Sequence, residues 1–100
     1  MPRKKASKSA GIPAKAREAV LKELGAFSSW PIDVSFRGRY CYVGHAGEPL
    51  CRLGFRGGAN LWDFSIYRYS RGAYGEMDLG PDQATAEECV RTALGAYELL

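Results

Sequence analysis

Two periodicities divide the chain. From Pro13 to Leu24 the apolar side chains Ala16, Val20 and Leu24 recur at helical spacing, with Leu21 beside them. Pro13 suits the first helical position, where its missing N–H would be unpaired anyway. Gly25 suits a left-handed residue just past the end. Beyond Trp30 and Pro31 the period falls to two. Residues 32–44 alternate and turn once at Arg37-Gly38, which predicts a hairpin of strands near 32–37 and 39–44. With a two-residue loop, Phe36 pairs with Arg39 and Val34 with Cys41. Ile32, Val34, Phe36, Cys41 and Val43 then face inward, and Tyr40 and Tyr42 outward. A loop one residue longer swaps the faces of the second strand, and the sequence leaves both open.

A third strand is predicted near 49–56, with Cys51, Leu53 and Phe55 on one face and Arg52 and Arg56 on the other. Gly57-Gly58 makes the next turn. A fourth runs near 61–69, with Trp62, Phe64 and Ile66 inward and Asp63, Ser65 and Tyr67 outward. The Gly-rich stretch 70–84 has room for a short fifth strand near Tyr74. Thr85-Ala86-Glu87-Glu88 reads as a capping box opening the last helix. Its apolar stripe is Ala86, Val90, Ala93, Tyr97 and Leu100, flanked by Cys89 and Leu94. Gly95 inside it costs roughly 1 kcal/mol against Ala, which close approach of helix and sheet would explain. The expected fold is α+β: helix, antiparallel sheet of about four strands, helix. Both helices lie on one face of the sheet and leave the other partly open.

Length changes this picture little: 100 residues suit one domain. Residues 1–11 hold no large apolar side chain beyond Met1, and so read as a disordered basic tail. Residues 12–100 read as a single domain. Charge divides the chain further. Residues 1–17 carry six basic side chains and no acid; residues 34–75 carry six arginines against Glu48 and Asp63. Residues 76–100 carry six acids against Arg91. The tail lacks the apolar stretch of a secretory signal and the amphipathic face of a mitochondrial presequence. No apolar run approaches a membrane span. The three cysteines, Cys41, Cys51 and Cys89, are odd in number and form no C-x-x-C pair. They read as small core hydrophobes in a reducing, cytoplasmic setting.

Catalytic motifs are missing. The one histidine, His45, lies in a Gly-rich loop. A Ser65–His45–Asp63 grouping lacks any nucleophile elbow, and Cys41 beside His45 is predicted to point inward. No spacing suggests a metal site, a phosphate loop or a dinucleotide fingerprint. The expectation is a non-enzymatic protein with no cofactor, no metal and no membrane partner.

The stretch Leu50–Ser70 (LCRLGFRGGANLWDFSIYRYS) resembles a family of small, uncharacterised bacterial proteins. These carry a similar C-R-L, then an aromatic and a Gly, then W-D-F-x-I-Y-x-Y-S. The resemblance covers about a fifth of the chain, with a weaker match in the last helix, and implies a bacterial source and a shared fold. The order of elements is similar to that of the double-stranded RNA-binding domain. That family grips phosphates with a lysine cluster at the start of its last helix. Here the same place holds Thr85-Ala86-Glu87-Glu88-Cys89, whose acids would repel a phosphate backbone.

Two features point to binding. Arg3, Lys4, Lys5 and Lys8 make the tail an attractor of polyanions through counterion release; the bland reading is a solubility tail or a linker scar. Arg52, Arg56 and Tyr67, with Arg37, Tyr40 and Tyr42 in one hairpin register, share the uncovered face. Nine of the twelve aromatics lie between residues 34 and 75, so this segment concentrates the stacking residues as well as the arginines. Arginine and tyrosine together grip single-stranded nucleic acid by phosphate pairing and base stacking. The same pair marks protein–protein hot spots, and strands favour tyrosine for packing alone. The expected function is a small nucleic-acid-binding accessory protein; the alternative is a protein-interaction module or a homodimer pairing its uncovered sheet face.

Overall fold

The computed structural model describes residues 11–57, 60–76 and 82–99. The expectations placed on residues 1–10, on Gly58 and on Leu100 lie outside the described residues. The order is helix α1 (Ala14–Leu24), a 3-10 turn (Gly25–Phe27), strands β1 (Ile32–Arg37), β2 (Tyr40–His45), β3 (Glu48–Phe55), β4 (Trp62–Arg68), β5 (Ala73–Gly75) and β6 (Gln83–Ala84), then helix α2 (Ala86–Ala96). The fold is α+β with one antiparallel sheet in the order β1-β2-β3-β4-β5, and β6 also pairs with β4.

The sheet has six strands where about four were expected. β5 and β6 are three and two residues long. Segments this short carry no alternation of their own and are recruited by the exposed edge of β4. The first hairpin turns at Gly38-Arg39, one residue later than expected, with Arg37 opposite Tyr40 and Phe36 opposite Cys41. Gly38 alone takes a positive φ, +59°, as a type II′ turn requires. Moving a two-residue loop by one position changes the partners but not the faces, so Tyr40 and Tyr42 still point outward. Gly25 is not left-handed: at φ −58° and ψ −20° it continues α1 into the 3-10 turn, which buries Phe27.

Between β2 and β3 the register slips. Val43 faces Cys51 and Gly44 faces Pro49, so Leu50 is an extra residue. This bulge gives the core a side chain that strict alternation assigns to the outer face. The core otherwise follows the pattern. Cys41, Val43, Cys51, Leu53, Trp62, Phe64 and Ile66 form one cluster with Ala16, Val20 and Leu24 of α1 and with Ala86, Cys89, Val90, Ala93 and Leu94 of α2. Ile12 joins it ahead of α1 and is 2% exposed. The capping box at Thr85 forms as expected, the Thr85 hydroxyl accepting from the Glu88 N–H. A Glu23 carboxylate oxygen accepts the free Glu87 N–H at 2.7 Å and ties α1 to the start of α2. Gly95 is exposed, so close helix–sheet approach does not account for it.

Candidate nucleic-acid interface

The outer side of the sheet is built in rows. Alternation and register place Ser35, Tyr42, Arg52 and Ser65 in one row, and Arg37, Tyr40, Gly54, Asp63 and Gln83 in the next. Tyr67 and Tyr74 pair across β4 and β5. Arg37, Arg52 and Tyr67 thus stand on the expected face. Arg56 lies just past the end of β3 and reaches back over it to Asp63. Arg3, Lys4, Lys5 and Lys8 lie outside the described residues.

Arg52 occupies the centre. Its guanidinium carbon sits 4.3 Å from the Tyr40 ring centroid and 5.0 Å from that of Tyr74. Such contacts contribute roughly 0.5–2 kcal/mol each. Its Nε is fully buried, and no described residue accepts from it. A buried charged donor without an acceptor is costly and calls for a partner.

Asp63 is the neighbouring acid. It accepts from Arg39 at 3.2 Å and from Arg56 at 2.7 Å, so two guanidinium groups share one carboxylate. Both pairs are substantially exposed and add little stability. The Arg39–Asp63 bridge crosses over β3 at Gly54. A Cβ there would lie 3.1 Å from the Asp63 Cβ, 3.3 Å from Arg39 Nη2 and 3.4 Å from Tyr40 Cε1. Gly54 is therefore the floor of the arginine cluster. Arg39, Arg52 and Arg56 line a cleft with Asp63, and Glu76 and Asp82 stand on its β5–β6 side.

All six tyrosines form one row. Ring centroids are separated by 6.1 Å between Tyr40 and Tyr42, 5.5 Å between Tyr42 and Tyr74, and 5.0 Å between Tyr74 and Tyr67. The row continues through Tyr69 at 4.8 Å and Tyr97 at 5.7 Å. The contacts are tilted or edge-to-face, the arrangement that aromatic quadrupoles favour. The Tyr97 hydroxyl donates to the Tyr67 carbonyl and that of Tyr69 to the Pro49 carbonyl, 2.6 Å away. Burial raises the Tyr74 hydroxyl above its ordinary range, Tyr42 adds to this, and Arg52 opposes it. Sequence reasoning placed Tyr67 on this face and left that of Tyr40 and Tyr42 to the loop length; the two-residue turn puts both here. The same reasoning missed Arg39, Gly54, Tyr69 and Tyr97, which reach the row only through the turn, the ion pair and the end of α2.

The residues considered for catalysis are not brought together. His45 packs against Trp30 with ring centroids 6.0 Å apart, while Ser65 pairs with Arg52 and Asp63 is held by its two arginines. The three thiols are buried. Burial pushes Cys41 and Cys89 from 9.0 to about 12, and raises Cys51 well above that starting value. Native protein is therefore expected to leave all three unmodified by a thiol reagent at pH 8, and denatured protein to expose them all. The folded state keeps protons that the unfolded state releases, so stability should fall as pH rises from 9 toward 12. Urea midpoints measured across that range check the sign.

No group of three or more His, Cys, Asp or Glu side chains that could hold a metal occurs among the described residues, and none of their helices is long and apolar enough to cross a membrane. Comparison of this chain with protein-family models, with curated proteins and with solved structures finds no match.

Proposed function

We propose that the outer face of the sheet binds single-stranded nucleic acid, and that the basic segment 1–10 adds attraction that is independent of sequence. The observation that carries this reading is Arg52, held between Tyr40 and Tyr74 with a buried Nε that no described residue satisfies. The accessible end of that guanidinium lines the cleft and would pair with a phosphate oxygen, and the tyrosine row offers surfaces on which bases stack. Glu76 and Asp82 close the β5–β6 side of the cleft, so a phosphate enters from the β1–β2 turn, past Arg37 and Arg39. With both helices assigned to the other face, the acidic start of α2 stays away from the strand. The reading extends to a non-enzymatic, cytoplasmic protein of the small bacterial family that residues 50–70 resemble.

The test is a salt titration of binding to single- and double-stranded oligonucleotides, using the full chain and a chain starting at Gly11. For single strands the logarithm of affinity should fall against the logarithm of salt by about 0.7 per phosphate contacted. Removing residues 1–10 should flatten that slope. Absence of binding by the full chain at low salt, where attraction is strongest, would sink the proposal. A protein-interaction module is the second reading. It is favoured by the edge-to-face packing of the rings, which covers ring faces that bases would otherwise use.

A further inference from the structure

The sheet ends on β1. Among the described residues β1 pairs only with β2, and their register runs unbroken from Ile32 to Arg37. The strand holds no Pro and no Lys, and no bulge bends it; its two charges, Asp33 and Arg37, are of opposite sign. At the opposite edge β5 is only three residues long. The apolar face also runs out at β1. Val34 and Phe36 are half-buried, while their partners Val43 and Cys41 are buried. The hydrogen-bonding direction follows from the hairpin. The pair flanking a two-residue turn exchanges hydrogen bonds, and bonded and non-bonded pairs alternate from there. Arg37, Ser35 and Asp33 therefore direct their backbone groups toward β2. Phe36 and Val34 direct theirs outward; the Ile32 N–H is taken locally by the Trp30 carbonyl at 2.7 Å.

The geometry points to a second copy of this chain as the occupant of that edge, its β1 running antiparallel about a two-fold axis at Ser35. This register puts Val34 opposite the second copy's Phe36. Those are the residues with free backbone groups, so each such pair exchanges two hydrogen bonds. It also puts Asp33 opposite the second copy's Arg37, twice by symmetry, with side chains in the closer, non-hydrogen-bonded positions. Alternative axes lose this. An axis at Val34 sets Asp33 against Ser35, one at Asp33 opposes two carboxylates, and one at Phe36 sets Arg37 against Ser35. Asp33 is exposed; its Oδ2 accepts the Gly47 N–H at 3.3 Å and its carboxylate leans over Gly44 of β2, so a χ1 rotation toward the edge brings it to the second copy's Arg37. The product is one continuous sheet across two protomers, with both tyrosine rows on the same side. This inference stands on the edge strand alone and does not require that the outer face bind nucleic acid.

The experiment is charge exchange read by sedimentation equilibrium on the full chain. Wild type is expected to dimerise with concentration. Asp33→Lys and Arg37→Glu should each be monomeric, because each places like charges opposite one another, and an equimolar mixture of the two should form a heterodimer. Both positions are exposed, so circular dichroism of the variants should match wild type. Ser35→Cys reads the register directly. At the axis its Cα atoms lie about 4.5 Å apart, within disulfide reach, whereas Asp33→Cys should not cross-link to itself. A wild-type monomer at ~1 mM chain, or a dimer that both charge variants leave unchanged, overturns the inference.

Discussion

Phe64→Ala should lower the free energy of unfolding by ~3–5 kcal/mol. Phe64 is 3% exposed and sits mid-strand in β4, opposite Leu53 and between Trp62 and Ile66 on the inner face. Its ring belongs to the cluster that joins the sheet to Val20 and Leu24 of α1 and to Val90 and Leu94 of α2. Truncation removes the transfer energy of the ring. It also leaves a cavity that β4 cannot collapse to fill, because β3 and the β5 and β6 strands hold its backbone from both sides. A domain of this size has only ~5–15 kcal/mol in all. The variant should therefore show a large drop in urea midpoint, followed by circular dichroism, or fail to fold at room temperature. Phe64→Leu, which keeps most of the volume, should recover much of the loss. An unchanged midpoint for Phe64→Ala would mean that the faces of β4 are reversed.

Tyr67→Ala should weaken binding to a single-stranded oligonucleotide by ~1–3 kcal/mol, roughly 5-fold to 150-fold in Kd. The ring of Tyr67 lies in the middle of the tyrosine row, between Tyr74 and Tyr69. Its backbone is held independently of its side chain, since the Tyr97 hydroxyl donates to the residue 67 carbonyl. The substitution therefore removes a stacking surface without releasing the strand. Stacking displaces no counterions, so the salt dependence should keep its slope while every point moves to weaker affinity. Loss of residues 1–10 should do the reverse and change the slope. Anisotropy titrations of one labelled oligonucleotide at several salt concentrations separate the two effects. An unchanged Kd for Tyr67→Ala, with wild type binding, would remove the sheet face from the interface and leave the basic segment alone.

Local pattern was enough to assign the faces of β4. Trp62, Phe64 and Ile66 alternate with Asp63, Ser65 and Tyr67, and a strand allows only two ways to point. The faces of Tyr40 and Tyr42 were not legible in this way, because they depend on the length of the β1–β2 loop, and the two-residue turn at Gly38-Arg39 decides them. The capping box was legible from local pattern: Thr85 and Glu88 are three residues apart, and their contact is built into the helix start. The three cysteines were legible as core because each falls on an apolar stripe.

What tertiary structure decided was every contact between residues distant in the chain. Asp63 reads in isolation as an outward acid. Only the pairing of β2, β3 and β4 carries Arg39 across to it, over the one position, Gly54, where the absence of a Cβ leaves room. Arg52 reads as one outward arginine among several, and it becomes the centre of the face because β5 brings Tyr74 to the side opposite Tyr40. The stretch 70–84 left room for a short strand near Tyr74, where β5 forms; β6 is too short to announce itself, and both are held because β4 offers them backbone partners. Leu50 enters the core because two strands slip by one residue, which neither strand encodes alone. Alternation is a property of neighbours along the chain and can be read there. Register, bulges and the meeting of Arg52 with two tyrosines are properties of neighbours in space, and they arise only when the sheet closes.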